Sequence, residues 1–357
     1  MSTPNFNIAI VELNSQTDIM ANLICIEQGV ALASHAGAKL VVLPENAFGF
    51  GNQSAISRYF EPLSDWCGAL ARHYHVHLLA GTMPCQFRPN GQKVADDKLR
   101  QVSLLFDPAG DCVARYDKIH LFKATVNDST GSYDEGQTFE AGDTPVVAHT
   151  ALGNIGMMVC FDIRFPTLAI KLREMGADIL TAPSAFTYAT GKAHWQSLLT
   201  ARALDSQCLV VGAGQTGRHG IVKNTQSQQT PLKETQFQEV QFRKTQFTAT
   251  QFTATQFRET WGHSLFTNAN GEVLTPTPVS FNQLPQLFIT DFSQDFADVL
   301  PIANQAKSWI PPSDCYHFLP MLPSVLLSAW DNSAQQQWRQ QIDLQQCQRF
   351  GIVNPLS

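Results

Sequence analysis

The 357-residue sequence predicts an α/β fold. Several short apolar runs, rich in β-branched residues, stop at polar or turn residues, as strands buried on both faces of a sheet do. Longer segments with apolar residues at helical spacing lie between some of these runs. Strands that alternate with helices along the chain are typical of an α/β architecture.

Seven of the apolar runs are predicted strands, and one pair of runs is a predicted hairpin. The strands cover residues 7–13, 39–45, 76–83, 101–108, 154–160, 177–184 and 208–214. In the segment LLFDPAGDCVARYDK, turn residues from Pro108 to Asp111 separate two strand-like halves, which indicates antiparallel pairing.

Three predicted helices lie among these strands. Residues 18–38 have helical spacing and close on Gly37. The segment FPTLAIKLREMGA begins with Pro166 in its first turn and stops at Gly176, and residues 194–207 follow the same pattern. Proline in the first turn and glycine after the last turn are the usual bounds of a helix.

Composition excludes several classes of protein. The net charge of −6 offers no basic surface, so nucleic acid is not expected as a main partner. No apolar run reaches about 18 residues, so no membrane span is expected, and the N-terminus lacks a signal-peptide pattern, which makes the cytoplasm the expected location. The eight cysteines are scattered without a CxxC spacing, which argues against a zinc site or a disulfide framework.

The chain is expected to form one domain over residues 1–300, interrupted by an insertion at about 221–259, followed by an extension over 301–357. Within the insertion a Gln-Phe pair recurs every five residues, which fits neither a helix nor a strand. A pentapeptide β-solenoid remains an alternative, but so few units favour a low-complexity insertion, disordered or loosely β-like. The proline-, aromatic- and glutamine-rich extension is expected to pack on the domain or on a second subunit.

Cys160 is the first candidate for chemistry. It ends a predicted buried strand in the segment GMMVCFDIRFP, immediately before a loop and a helix start. A side chain there is held by a rigid element at the rim of the sheet, where α/β proteins place their active sites. The Phe161 amide is expected to be free of strand pairing and able to donate to an oxyanion. A free cysteine is more often a small buried hydrophobe, and a nucleophilic one needs a base or a cation nearby.

Two other strand ends supply suitable partners. Glu45 follows an apolar run and a proline, and a poorly solvated carboxylate there is able to act as a general base. Lys118 lies between apolar residues and is able to stabilise a developing oxyanion. A solvated loop position for Glu45 and a snorkelling position for Lys118 are the structural alternatives.

These motifs resemble those of the nitrilase superfamily of carbon–nitrogen hydrolases. LPENAF with Glu45, RYDKIHLF with Lys118 and VCFDIRFP with Cys160 stand in the family's order, and Glu135 in SYDEGQTFEAGD matches a second family glutamate. Further matches are PSAF, GKAHWQSLLTARALDSQC, GQTGRHG and WGHSLFTNANGEVL. The resemblance extends over about residues 7–292, apart from the repeat.

The resemblance implies a four-layer α-β-β-α sandwich, a homodimer or higher homo-oligomer, and no metal or organic cofactor. It is strongest to the deaminated glutathione amidase branch. The implied activity is hydrolysis of the carboxamide of a small carboxylated substrate, most simply deaminated glutathione, through a cysteine thioester with release of ammonia or amine. The alternatives are an omega-amidase acting on 2-oxoglutaramate or 2-oxosuccinamate, a nitrilase, and a non-catalytic scaffold.

The resemblance also implies roles for individual residues. Cys160 would be the nucleophile, Glu45 the general base and acid, Lys118 with the Phe161 amide the oxyanion donors, and Glu135 a supporting carboxylate. Arg164 would either bind a substrate carboxylate or form an ion pair, with Asp162 or another acid. Tyr188, in a loop after a strand, is a further candidate for substrate contact, and His194, at a helix start, either contacts substrate or has a structural role, which is the more common case.

Overall fold

The structure is a computed structural model that describes residues 6–51, 53–126, 131–221, 256–274, 277–278 and 324–330. The helices within these ranges are α1 (Ile19–His35), α2 (Gln53–Ile56), α3 (Phe60–Tyr74), α4 (Pro166–Glu174) and α5 (Tyr188–Ser206). The strands are, in chain order, β1 (Phe6–Glu12), β2 (Ala38–Val42), β3 (His77–Leu79), β4 (Met83–Cys85), β5 (Arg100–Phe106), β6 (Cys112–Asp117), β7 (Lys123–Thr125), β8 (Ser132–Asp134), β9 (Val147–Thr150), β10 (Gly153–Met157), β11 (Ile179–Ser184), β12 (Leu209–Gly214), β13 (Thr216–Ile221), β14 (Gln256–Trp261), β15 (Leu265–Thr267), β16 (Val273–Leu274), β17 (Thr277–Pro278) and β18 (Ser324–Trp330).

Two mixed sheets form the centre of the molecule. The first has the order β17-β18-β1-β2-β3-β5-β4, with β6 paired to β5. The second has the order β16-β15-β12-β11-β10-β9. Pairing is parallel from β1 to β3 and from β10 to β12, and the remaining pairs of both sheets are antiparallel. The parallel strands are among the runs that the sequence predicts as buried on both faces, but β5, predicted in the same way, pairs antiparallel with its neighbours.

The residues of β1 show how the layers stack, because alternate side chains face opposite sides of a strand. Ile8 and Ile10 belong to the core cluster that contains the strands of the second sheet. Ala9 and Val11 belong to a separate cluster with the buried residues of α1 and α3. On the far side of the second sheet, α4 and α5 pack against β10 and β12. The chain therefore forms the expected four-layer α-β-β-α sandwich.

Several elements differ from the prediction: α2 and α3 were not predicted, and three other differences change how the site residues are placed. The run at 76–83 is not one strand but β3 and β4, separated at Gly81, which has a φ of 63°. Helix α5 begins at Tyr188, six residues earlier than predicted, because Thr187 caps it: its Oγ1 accepts from the Thr190 amide at 3.3 Å. Strand β10 ends at Met157, so Cys160 lies beyond the strand.

Parts of the predicted insertion and of the predicted extension belong to the body of the sandwich. Residues 256–259 lie in β14, which pairs with β13 in register from Thr216↔Trp261 to Ile221↔Gln256, so the predicted insertion bounds of 221–259 are too wide. From the extension, β18 pairs with the whole of β1. The rest of the repeat and of the extension lies outside the described residues. Within the described ranges, no helix is both long and apolar enough to cross a membrane.

Candidate active site

Glu45 lies where the chain leaves β2, next to the strand ends of the second sheet. Gly81 packs against this turn, where a Cβ atom would overlap the Pro44 carbonyl. The Gln215 side chain, after β12, donates to the Glu45 carbonyl at 3.0 Å. The Ala185 amide, after β11, donates to Oε2 of Glu45 at 3.0 Å. Groups at strand ends of both sheets therefore hold Glu45 in place, and its side chain is 2% exposed.

Lys118 follows β6 directly, and its amide continues the ladder by donating to the Gln101 carbonyl at 2.9 Å. Its Nζ lies 2.8 Å from Oε1 of Glu45 and 2.8 Å from Oε2 of Glu135. Glu135 is placed in turn by the Phe122 amide, which donates to the same Oε2 at 2.8 Å. One buried ammonium thus joins two carboxylates that come from separate loops.

Cys160 is the first residue of a 3-10 helix, Cys160–Arg164. Its φ of 47° lies in the left-handed region, which costs an L-residue about 1–2 kcal/mol. The Phe161 amide lies in the first turn of this helix, where backbone N–H groups have no acceptor within the helix. The turn therefore presents a sulfur atom and an adjacent amide together, as the sequence predicts, although the carrier is a helix start and not a strand end.

Asp162 holds this turn in place. Its Oδ2 accepts from the Tyr116 hydroxyl at 2.7 Å and from the Val159 amide at 2.8 Å. Its Oδ1 accepts from the His120 amide at 2.9 Å and lies 2.7 Å from His120 Nδ1. Asp162 is fully buried and does not pair with Arg164, which removes one alternative for that arginine.

The charges around Cys160 favour its protonated form. Burial raises the pKa of the Cys160 thiol well above its ordinary value, Glu45 adds to the shift, and Lys118 opposes it. Burial by itself would lower the pKa of Lys118, but Glu135 and Glu45 outweigh it and raise that pKa well above its ordinary value. The resting site thus holds a neutral thiol beside an ammonium and two carboxylate side chains, so the thiol needs a base to become a nucleophile.

A pocket of about 280 Å³, including its open mouth, leads to Cys160. Aromatic side chains from three separate segments form much of its wall: Phe122, Phe161 and Phe186. Its remaining lining residues are Glu135, Cys160, Arg164, Ala185, Thr187, Thr190 and Arg258. An apolar pocket with a few converging polar groups is the usual form of a small-molecule site.

The structure therefore brings together most of the predicted site residues. Glu45, Lys118, Glu135 and Cys160 are linked around one ammonium, and Phe161 and Arg164 line the pocket above them.

Tyr188 and His194 lie outside this pocket lining. Tyr188 is 44% exposed and packs edge-on against Trp261. His194 lies on the exposed face of α5, well past the start of the helix, and its Nδ1 is 3.2 Å from Nη2 of Arg164. The early start of α5 accounts for both positions, and the expected substrate contact of these two residues finds no support in this geometry.

Sequence reasoning missed Arg258 and the apolar wall. Arg258 falls at the end of the Gln-Phe repeat, so the repeat concealed its place in a strand of the body. Phe122 and Phe186 stand within the quoted motifs HLF and PSAF, but nothing in the spacing of an isolated phenylalanine distinguishes a pocket wall from a core position. The sequence indicated Asp162 only as a possible ion-pair partner, because the backbone amides that donate to its carboxylate are brought there by the geometry of the turn.

A four-layer sandwich that brings a buried cysteine, a buried lysine, a buried glutamate and a partly buried second glutamate together beside its sheets is the architecture of a nitrilase-type hydrolase. The carbon–nitrogen hydrolase family model matches residues 7–284. The crystal structure of Saccharomyces cerevisiae Nit3, a member of branch 10 of the nitrilase superfamily, matches with a TM-score of 0.62 and 21% identity over 98% of both chains.

Curated relatives agree with this match. The deaminated glutathione amidase of Yersinia enterocolitica is 34% identical over 308 residues, which is 85% of this chain and 93% of that one. The protein of the same name from Synechocystis sp. (strain PCC 6803 / GT-S) is 38% identical over 220 residues, 59% of this chain and 78% of that one. The chain belongs to the carbon–nitrogen hydrolase family, and it is an enzyme of that class.

Proposed function

We propose that this hydrolase is an amidase that cleaves the carboxamide of a small carboxylated substrate, with deaminated glutathione as the first candidate. The observation that carries the proposal is the convergence of Cys160, Glu45, Lys118 and Glu135 beneath a pocket that also contains arginine side chains. The name shared by two curated relatives supports the choice of substrate.

In the acylation step, a Glu45 oxygen accepts the Cys160 thiol proton while the sulfur attacks the carbonyl carbon of the amide. The carbonyl oxygen becomes an oxyanion, which Lys118 and the Phe161 amide stabilise. The Lys118 ammonium has three N–H donors, and one of them is free for the oxyanion when the two oxygens of Glu135 share a single N–H. The C–N bond then breaks, and the protonated Glu45 returns its proton to the departing ammonia or amine.

In the hydrolysis step, a water molecule replaces the leaving group. Glu45 takes a proton from the water as its oxygen attacks the thioester carbonyl, and the same donors stabilise the second oxyanion. The C–S bond breaks, the sulfur recovers its proton, and a carboxylic acid leaves. Glu135 contacts Lys118 with both oxygens, so we assign it the positioning of that ammonium.

The proposal is tested with purified protein and three substrates: deaminated glutathione, 2-oxoglutaramate and a simple nitrile. Formation of 2-oxoglutarate from the first two, and of ammonia from the nitrile, gives kcat/KM for each. A preference of tenfold or more for deaminated glutathione, about 1.4 kcal/mol in transition-state binding, is expected. Cys160→Ala should abolish turnover, and Cys112→Ser, at an exposed cysteine outside the pocket, is the matched control.

Each other outcome selects a different function. A preference for 2-oxoglutaramate would make the protein an omega-amidase with the same chemistry, and a preference for the nitrile would make it a nitrilase. Turnover of none of the three substrates, with Cys160 still fast to alkylate, would mean a working site with a different substrate, and absence of both would favour a non-catalytic scaffold. Measurable turnover by the Cys160→Ala protein would contradict the thioester mechanism.

Assembly and location are separate parts of the proposal. We expect a homodimer or a higher homo-oligomer, and light scattering on the purified full-length chain would measure its mass. A monomer at micromolar concentration would contradict that expectation. The cytoplasmic location also stays a prediction, which fractionation of the source cells would test.

A further inference from the structure

Arg258 reaches the candidate pocket from β14 and lines it together with Arg164. We propose that these two arginines bind the carboxylate of the substrate, and that Arg258 sets the preference for carboxylated over uncharged amides. The inference rests on the proposed amidase function, because it assigns a binding role within the same pocket.

The guanidinium of Arg258 is held in place by one hydrogen bond, and the described contacts leave its other N–H donors without an acceptor. Its Nη2 donates to the Ala185 carbonyl at 2.7 Å. Its Nε is buried and has no hydrogen-bond partner among the residues that the structure describes. The two terminal nitrogens of the guanidinium carry four N–H groups, of which the described contacts use one, so its terminal edge is able to donate to a ligand in the pocket.

The positive charge of the two arginines is also uncompensated. Across the described ranges, neither Arg258 nor Arg164 forms an ion pair with a carboxylate. Lys118, by contrast, already faces Glu45 and Glu135. The arginines are therefore the cations of the pocket that remain available to an anionic group, and their planar forks suit a carboxylate.

Aromatic rings orient both guanidinium groups. The Cζ of Arg258 lies 5.2 Å from the ring centroid of Phe50 and 5.0 Å from that of Tyr133. The Cζ of Arg164 lies 5.7 Å from the centroid of Phe161 and 5.3 Å from that of Phe186. Contacts of this kind hold a guanidinium through its face and leave its N–H edges available for hydrogen bonds.

Three aromatic side chains line the pocket together with Cys160 and the two arginines. Phe122, Phe161 and Phe186 contribute apolar surface beside Cys160. A ligand that meets both Cys160 and the arginines has its carboxamide at Cys160, an apolar spacer against the rings, and a carboxylate at the arginines. That description fits monoamides of short dicarboxylic acids and their N-substituted forms.

A purely positional role for Arg258 predicts a different result. Arg258 donates to the Ala185 carbonyl, and the Ala185 amide donates to Oε2 of Glu45. If this connection were its whole role, removing the guanidinium would disturb Glu45 and slow every amide by a similar factor. A carboxylate-binding role instead changes the ratio between charged and uncharged substrates.

The test compares succinamate with butyramide, which has a methyl group in place of the carboxylate. The ratio of their kcat/KM values is measured for the wild type, Arg258→Gln, Arg258→Lys and Arg218→Gln. Arg218 is the matched control because it lies on the paired strand β13, is exposed, packs over Phe257 and does not line the pocket. The ratio should fall at least tenfold in Arg258→Gln through a higher KM for succinamate, fall less in Arg258→Lys, and stay within twofold in Arg218→Gln.

Equal losses for both amides, or an unchanged ratio in folded Arg258→Gln and Arg258→Lys proteins, would overturn the inference and leave the amidase function intact. A second readout does not need turnover: calorimetric binding of 2-oxoglutarate to Cys160→Ala should weaken at least tenfold when Arg258→Gln is added. If the wild type cleaves no amide but this dependence is observed, the carboxylate site stands and the amidase function falls. Absence of both turnover and binding would overturn both.

Discussion

Nζ of Lys118 lies 2.8 Å from Oε1 of Glu45, and the two side chains are almost completely buried. The other oxygen of the same carboxylate accepts from the Ala185 amide. A carboxylate offers about four lone-pair positions, so Glu45 makes both contacts and still has room for the thiol proton of Cys160. In the proposed mechanism, the base is therefore fixed in place by the group that would stabilise the oxyanion.

Replacing Glu45 with glutamine should remove the base and leave the shape of the side chain. We expect kcat/KM to fall by about 10²–10⁴, the usual contribution of a positioned general base. The amide has only one acceptor oxygen, so its NH₂ group must face either Lys118 or the Ala185 N–H, and the free energy of unfolding should fall by about 1–3 kcal/mol. Steady-state kinetics and urea denaturation measure the two effects.

Glu259→Gln is the control for this change, because Glu259 is an exposed glutamate on β14. Both its kcat/KM and its unfolding free energy should match those of the wild type. A Glu45→Gln enzyme that keeps a third or more of wild-type kcat/KM would show that another group takes the thiol proton.

The alkylation of Cys160 should depend on pH as a protonated thiol does. Burial and Glu45 raise the pKa of Cys160 well above its ordinary value, so the thiolate fraction in the free enzyme keeps rising with pH through neutrality and beyond. The rate of modification by iodoacetamide, followed by peptide mass spectrometry, should therefore increase from pH 6 to pH 9 without levelling off. Cys160→Ser supplies the baseline for the other cysteines.

A plateau in that rate below pH 7 would contradict the prediction. It would mean that Lys118 dominates the electrostatics of the site and that the resting enzyme holds a thiolate. General-base assistance from Glu45 would then be unnecessary for attack, although a proton for the leaving group would still have to come from the enzyme.

Removing the hydroxyl of Tyr116 should loosen the turn that carries Cys160. This hydroxyl donates to Oδ2 of Asp162 at 2.7 Å, and burial first, with Asp162 second, raises the pKa of Tyr116 well above its ordinary value. A hydrogen bond to a charged group contributes about 1.5–3 kcal/mol, so Tyr116→Phe should lower the unfolding free energy by about 2 kcal/mol. Urea denaturation measures this loss, and kcat should fall with it because Asp162 also binds the Val159 amide.

Tyr188→Phe is the matched control, since Tyr188 is exposed and lies outside the pocket lining. Its unfolding free energy should stay within about 0.5 kcal/mol of the wild type, as for most surface substitutions. If Tyr116→Phe also left the unfolding free energy unchanged, the backbone amides that donate to Asp162 would have to stabilise the Cys160 turn without the tyrosine hydroxyl.

Much of the fold could be predicted because its strands are buried on both faces. Continuous apolar runs identified β2, β5, β11 and β12 to within a few residues, and Pro166 identified the start of α4. The start of α5 could not be predicted in the same way, because Thr187, Thr190 and Gly191 resemble a loop. Only the tertiary contact of Gly191 with Trp261, where a side chain would overlap the indole, explains a glycine inside this helix.

The centre of the site could be predicted from motifs, whereas its rim could not. Glu45 and Cys160 follow apolar runs and Lys118 lies between apolar residues, so the sequence predicts that all three lie near strand ends, although Cys160 lies at a helix start beyond β10. Arg258 stands 98 residues after Cys160, directly beyond a repetitive segment, and reaches the pocket only because β14 pairs with β13. A hairpin that spans a long insertion leaves no local pattern in the sequence.

His219 should make the protein less stable in mild acid. The ring is fully buried and stacked on Phe50, with centroids 4.0 Å apart. Nδ1 lies 2.7 Å from the Ser15 carbonyl and must donate to it, so Nε2 is the acceptor for the Thr260 hydroxyl at 2.7 Å. Burial, with a smaller effect from Arg258, lowers the pKa of His219 from 6.5 to about 4.

The sign of the effect follows from proton binding. Between pH 6.5 and pH 4 the unfolded chain binds a proton at this position and the folded chain does not, so the free energy of unfolding rises with pH across that window. The stabilisation is complete above pH 6.5 and is lost as the pH falls to about 4, a change of about 3 kcal/mol for a shift of this size. Urea denaturation at pH 7.5 and at pH 4.5 would measure most of it.

His219→Gln isolates this contribution, because the glutamine does not titrate and the other ionisable groups are shared by both proteins. Burial also lowers the pKa of His77. Its titration changes the unfolding free energy of both proteins equally, so it cancels in the difference between them. We expect the variant to be less stable than the wild type at pH 7.5 and to approach it at pH 4.5, with the gap narrowing by about 2–3 kcal/mol. A gap that stays constant with pH would mean that His219 accepts a proton in the folded state, and that the Thr260 hydroxyl turns to accept from Nε2.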